Sequence, residues 1–189
     1  MKESENPIYG HNTIEFVTVA LEFCNFLEAA TEDMRLAFID KATKLLPLLY
    51  LKASLLPDLS HLVDEDDDEI EQTVTEESYD ALREKFATIL GDQDSYLDTF
   101  VEDMQYSDTP ITAFISEDLA DVFQATGDCI ALFRQGNEEA MNQAIFHCYM
   151  TFQNYWGQKL LNALKALHTI RYSEDWTSEE NNELEEEKE

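Results

Sequence analysis

Glycine and proline are too rare in this chain to turn it back on itself often: 5 Gly and 4 Pro are spread over 189 residues. An all-β domain needs a turn about every 8–12 residues, and those turns draw heavily on glycine and proline. What remains are long turn-free segments in which apolar residues return every three to four positions. Phe16, Ala20, Phe23 and Leu27 share one face with Val17, Leu21 and Cys24, while Glu15, Thr18, Glu22 and Asn25 fall opposite. That is the period of an amphipathic helix with a broad buried stripe.

Five such segments follow one another. Asn12, with Glu15 three residues on, is placed to cap a first helix over 12–30. Thr31 opens a second, with Glu32 and Asp33 suited to the positive end of its dipole. Pro47 removes a backbone donor and kinks this helix, and Pro57 ends it. Thr75 opens a third helix that Gly91 stops. Over 92–110, Tyr96, Leu97, Phe100, Val101 and Met104 suit a short helix, and Asp108-Thr109-Pro110 a turn. Ser116 caps a fourth helix, closed by Gly136. Asn137 caps a fifth that, carried to Tyr172, is roughly 50 Å long; Gly157 is where it would bend or split. The expectation is an all-α antiparallel bundle of five to six helices, with a kinked second helix and a long C-terminal helix. Residues 1–172 form its single domain, and 173–189 an acidic tail too charged to fold alone.

Acids outnumber bases 41 to 12, for a formal charge of -29. Two blocks concentrate them: 64–77 holds nine acids and no base, and 173–189 holds nine acids and the single base Lys188. Outside both blocks acids still exceed bases about two to one. Such a surface repels phosphate backbones, so direct nucleic-acid binding is not expected. Anionic membranes are disfavoured for the same reason, and no apolar run approaches the roughly 20 residues of a membrane span. The first ten residues lack an apolar stretch beside a basic start, so no signal peptide is expected. Cys24, Cys129 and Cys148 stand singly, which argues against a disulfide framework and against a cysteine-only zinc site. A reduced, cytoplasmic setting is the corresponding expectation. The field would attract cations and a basic protein partner, although solubility alone also accounts for it.

Three stretches in order resemble a bacterial family of unknown function, domain of unknown function 5063. They are Leu45-Leu46-Pro47-Leu48-Leu49-Tyr50-Leu51-Lys52-Ala53, then Ser116-Glu117-Asp118-Leu119-Ala120-Asp121-Val122-Phe123, and Tyr155-Trp156-Gly157 leading into Ala163-Leu164-Lys165-Ala166-Leu167-His168. The likeness spans roughly residues 8–170 and leaves the acidic tail outside. It implies no particular activity.

Among the residues that carry chemistry, Asp118 and Asp121 lie three apart at a helix start, so both carboxylates point one way. Two such acids would help hold a divalent metal; acids there also stabilise the helix dipole without further reason. His147 and His168 lie on the long helix, but neither completes His-Glu-x-x-His or Glu-x-x-His. Residues 146–156, ending in Trp156, are aromatic around most of the helix and suit either a rigid core or a pocket lining. Arg35, Lys41, Lys44 and Lys52 put four bases on the second helix, where ion pairs within the chain are the ordinary reading. Tyr50 and Lys52, inside the first matching stretch, complete the ligand-or-partner candidates. No nucleophile motif or phosphate-cradling loop is present, so no catalytic residue and no cofactor is assigned. The leading reading is an acidic, adaptor-like interaction domain. Its competitor is a metal-dependent hydrolase of a small anionic substrate, using Asp118 and Asp121 with His147 or His168.

Overall fold

The computed structural model describes residues 6–63, 72–98 and 110–176. Their architecture is that of the expected bundle: α1 (His11–Ala29), α2 (Arg35–Ser54), α3 (Glu76–Leu90), α4 (Ile115–Phe133), α5 (Glu138–Thr151) and α6 (Gly157–Arg171). Helix α4 is the axis, packed against α1, α3, α5 and α6, and α2 closes the bundle against α1 and α6. Its first half explains this position: Ile115, Leu119, Ala120 and Val122 are all fully buried. Phe16, Phe23, Phe38, Leu46, Leu49, Phe86 and Trp156 fill the core around it. Between α1, α2 and α3 the rings of Phe26, Phe38 and Phe86 stack in turn, with centroids 5.3 and 5.8 Å apart.

The helix boundaries follow local chemistry, with three departures from the sequence reading. Thr75 Oγ1 accepts the Ser78 N–H at 3.2 Å and Asn137 Oδ1 the Ala140 N–H at 2.8 Å, as capping residues do. Gly91 and Gly136 follow α3 and α4 with φ of 56° and 78°, a backbone region that favours glycine. Asn12 and Thr31, by contrast, do not cap. Gly10 precedes α1, and a 3-10 turn at Glu32–Met34 delays α2 to Arg35. Ser116 also lies inside its helix rather than before it. Asp94 caps α4 from outside, accepting the Ser116 N–H at 2.8 Å and the Ser116 hydroxyl at 2.7 Å.

The third departure is a strand pair. Where a short helix was expected from Tyr96, β1 (Ser95–Asp98) pairs antiparallel with β2 (Ile111–Phe114), Tyr96 opposite Ala113. The alternating exposure of Ser95–Asp98 is a strand's period of two, and it turns Tyr96 inward. The rest of the expected short helix, the turn at Asp108-Thr109, the acidic block 64–71 and the tail beyond 176 lie outside the described residues. The helical body itself continues past Tyr172 to Trp176, which is buried with the Arg171 guanidinium 4.7 Å over its ring.

Pro47 stands within α2, where it supplies no donor to the carbonyl one turn earlier. The bases of α2 make the expected internal contacts: Lys41 with Glu22 at 2.9 Å, Lys44 with Asp40 at 2.6 Å, Lys52 with Glu15 at 2.6 Å, and Arg35 with Gln93.

The long C-terminal helix is continuous, but α5 and α6 meet through a π-helical turn at Phe152–Trp156. The Gly157 N–H reaches back five residues to the Phe152 carbonyl. A side chain at 157 would put its Cβ 2.4 Å from that oxygen, so the turn requires glycine. Such turns insert one residue into a helix and re-aim the side chains around it.

Candidate functional site

Three elements converge on the start of α4. Asp118 is 1% exposed; Asp121, one turn on, is partly buried, its side chain 11% exposed. Lys159 arrives from α6 and sets its ammonium 3.3 Å from Asp118 Oδ1 and 3.3 Å from Asp121 Oδ2. Tyr96, turned inward by β1, donates its hydroxyl to Asp118 Oδ2 at 2.5 Å, and Tyr79 of α3 donates to Asp121 Oδ1 at 2.9 Å. One buried and one partly buried carboxylate and one ammonium are thus held by phenols from two further elements, which meets the demand that buried charge be paired and hydrogen-bonded.

The electrostatics follow from burial. Desolvation pushes the Asp118 carboxyl up to about 6, against the opposing pull of Tyr96 and Lys159. Burial alone would lower Lys159, but Asp118 and Asp121 outweigh it and raise the ammonium above its ordinary value. Tyr79 and Tyr96 are pushed up by burial and by their aspartate partners, and Tyr155 to about 12.

A pH profile tests this arrangement. Because the Asp118 carboxyl is raised on folding, its contribution to stability is full below about pH 3.8 and lost as pH rises through about 6. Asp40 and Glu15 are lowered, chiefly by hydrogen bonds from Lys44 and Lys52, so theirs is present above their ordinary values of 3.8 and 4.5 and lost on acidification. Stability in urea should therefore rise as pH falls from 7.5 to 5.5, with one proton supplying at most about 1.4 kcal/mol per pH unit. Asp118→Asn should flatten that part of the profile; equal slopes in the two proteins would refute the assignment.

Beside this network a cleft of about 630 Å³ opens between α4 and α5. Small side chains from both helices line it: Ala125 and Cys129 of α4, Ala144 and Cys148 of α5. The walls are polar, with Asp121, Gln124 and Asp128 along one face of α4 and His147 and Thr151 along α5. Tyr155, from the π turn, lines one end and is 51% exposed. Asp128 Oδ1 accepts three bonds, from the Thr73 N–H and hydroxyl and the Val74 N–H at 2.7–2.8 Å, anchoring the segment that leads into α3.

The sequence candidates divide accordingly. Asp118 and Asp121 do share one face, but a lysine ammonium occupies the place between them where a cation would sit. No group of three metal-ligating side chains exists among the described residues. His147 lines the cleft; Trp156 does not. Its indole is fully buried and donates to the Cys148 carbonyl at 3.0 Å, so the aromatic segment splits between core (Trp156) and cleft (Tyr155). Tyr50 sets its ring edge against Phe152 at 5.1 Å. Lys52 is held by Glu15, and His168 is exposed beside Tyr172, ring centroids 4.6 Å apart. Lys159, Tyr79, Tyr96 and Asp128 escaped the sequence reading. Lys159 stands 38 residues after Asp121 with no motif around it, and only the packing of α6 on α4 pairs them. Across the described residues no helix is long and apolar enough to cross a membrane.

The family model described as Domain of unknown function (DUF5063) matches residues 7–173. Among solved structures, the chain is similar to protein BF1032 from Bacteroides fragilis, with 43% identity, a TM-score of 0.73, and coverage of 89% of this chain and 97% of that one. No curated protein matches significantly. A match over nearly the whole helical body, together with a shared fold at this identity, places the chain in the DUF5063 family.

Proposed function

We propose that this chain is a non-catalytic binding protein whose α4–α5 cleft receives a basic side chain of a protein partner. The observation that carries the reading is the composition of the cleft: Asp121 and Asp128 line it on one face of α4, and among the described residues no lysine or arginine does. All three bonds to Asp128 fall on Oδ1, which leaves Oδ2 as the oxygen a guest ammonium or guanidinium would meet. Tyr155 lines the same cleft, with the Lys159 ammonium already 5.8 Å from its ring centroid. A formal charge of -29 adds long-range steering toward a basic partner and away from nucleic acid. Lys159 between Asp118 and Asp121 favours this reading over metal-dependent hydrolysis, because its ammonium already occupies the place between the carboxylates that would bind the metal. The cytoplasm is the compartment proposed, since three unpaired cysteines suit a reducing setting.

Binding of a fluorescent oligoarginine peptide, followed by anisotropy, tests the cleft against the general field. Gln124→Lys puts a cation in the cleft wall, and the exposed Glu84→Lys adds charge outside it. The first should weaken binding about tenfold in low salt, some 1.4 kcal/mol, and the second less than about twofold. Equal losses would mean diffuse attraction only, and no binding by the unmodified protein would remove the proposal.

A further inference from the structure

Helix α2 is apolar on two sides. Leu45, Leu46, Leu49 and Ala53 are buried in the bundle, whereas Leu48, Leu51 and Leu55 at its C-terminal end are 41%, 51% and 44% exposed. The contacts of α2 place this second stripe between its two neighbours: Lys41 and Lys52 turn toward Glu22 and Glu15 of α1, and Asp40 toward Arg171 of α6. Its spacing, three residues and then four, is that of a coiled-coil seam, narrower than the stripe a helix lays on a core. Among the described residues no other α-helix exposes more than one large apolar side chain. The same side of the molecule is where acids are missing. Segments 41–57 and 140–173 each hold three bases and no acid, and they pack together as α2 against α6, with the Tyr50 ring on Phe152. On a chain of formal charge -29, this is the side that a second body of the same sign can approach at least cost.

We propose that the Leu48–Leu51–Leu55 seam is a dimer interface, covered by the same seam of a second copy with the two α2 helices antiparallel. The interface is independent of what the α4–α5 cleft binds. Shape selects this occupant first: a seam of this spacing packs into another like it, and a two-fold axis beside Leu51 supplies one. Leu51 then meets its own counterpart, and Leu48 meets Leu55 of the partner subunit. Charge selects it next. Lys44, its side chain 71% exposed, stands seven residues before Leu51, and the exposed Asp58 seven after it. Antiparallel packing therefore brings each lysine toward the other copy's aspartate, and the Lys44 ammonium has donors beyond the one it gives Asp40. The size of the face agrees. A surface two helices wide, roughly 20 Å, along the roughly 30 Å of α2 covers about 600 Å² on each copy. The total of about 1,200 Å² is at the low end for specific interfaces, which suits an association in the micromolar range. The acidic excess of each copy opposes the contact, so salt should strengthen it.

Sedimentation velocity of the full-length chain across micromolar concentrations, in low and in high salt, tests the interface. The expected result is a monomer–dimer equilibrium that tightens as salt rises. Leu51→Lys sets two ammoniums against each other at the axis and should weaken dimerisation at least about tenfold. Lys44→Glu should weaken it about fivefold, and combining it with Asp58→Lys should restore most of the loss. A second readout needs no change in affinity. Leu51→Cys adds an exposed thiol to a chain whose three native cysteines are buried, so mild oxidation should link two copies through position 51. Glu84→Cys, on the exposed side of α3, should give no such link. A monomer at every concentration, with no link through position 51, would overturn the proposal and leave the seam to a helix of another protein. A dimer that Leu51→Lys does not weaken would overturn it as well, because the contact would then lie on a different face.

Discussion

Lys159→Met should lower the unfolding free energy by about 3 kcal/mol at pH 8, and by much less at pH 5.5. Methionine keeps most of the side chain's length and apolar stem, so packing is nearly conserved and the change isolates the charge. What it leaves is Asp118, whose side chain is 2% exposed, and Asp121, at 11%, facing each other without the ammonium that lies 3.3 Å from each. Removing one partner of a buried ion pair strands the other in a medium that solvates it poorly, and the cost is typically about 3–5 kcal/mol. Here the loss has an outlet. The Asp118 carboxyl already sits at about 6, and without Lys159 it rises further, so at pH 5.5 it is protonated and Asp121 no longer faces a second buried charge. The sign is definite: the variant's deficit grows with pH. Urea unfolding of both proteins at the two pH values measures it, and Asp118→Asn combined with Lys159→Met should recover most of the loss at pH 8. A deficit that is small, or equal at both pH values, would mean that the ammonium does not hold these carboxylates in the folded protein.

Gly157→Ala should be destabilising by about 2–4 kcal/mol, opposite in sign to what helix propensity alone gives. Gly157 opens α6, in the midst of a long continuous helix, and replacing a mid-helix glycine by alanine ordinarily stabilises by about 0.8–1 kcal/mol. The π turn reverses this expectation. An alanine Cβ would stand 2.4 Å from the Phe152 carbonyl oxygen and 3.0 Å from the Phe152 ring. The first neighbour is backbone and cannot swing aside, so the turn itself would have to unwind. Unwinding would displace Tyr155 from the cleft and the fully buried Trp156 from its place against the Cys148 carbonyl. Thermal unfolding reports the stability, and a shift in tryptophan emission reports the displaced indole. A variant as stable as the parent, with unchanged emission, would mean that residues 152–157 form an ordinary α-helical turn.

Much of the fold was legible because it rests on local signals. The stripe from Phe16 to Leu27 in α1, the caps at Thr75 and Asn137, and the stops at Gly91 and Gly136 are each decided by residues a few positions apart. The misreadings occurred where a distant group supplied what the nearby sequence lacked. Ser116 looked like a cap, but Asp94, 22 residues earlier, makes the capping bonds. Tyr96 and Leu97 looked helical, but they pair with a strand whose partner residues begin at Ile111. Gly157 was marked as a point of bend or division, while the π turn that uses it depends on the carbonyl of Phe152, a contact that composition does not reveal.

The site divides along the same line. Asp118 and Asp121 could be placed on one face from their spacing, since three residues along a helix is a fixed geometry. Their meaning changed with Lys159, Tyr79 and Tyr96, which reach them only through the packing of α6, α3 and β1 on α4. The cleft is likewise a property of two helices together: neither Ala125 with Cys129 nor Ala144 with Cys148 indicates a groove until they oppose one another. The sequence alone determined that this chain makes amphipathic helices which must bury one another and leave its acidic excess in water, because periodicity and charge are written residue by residue. Tertiary structure alone decided which carboxylates share an ammonium and where an opening remains, because those depend on distances between segments far apart along the chain.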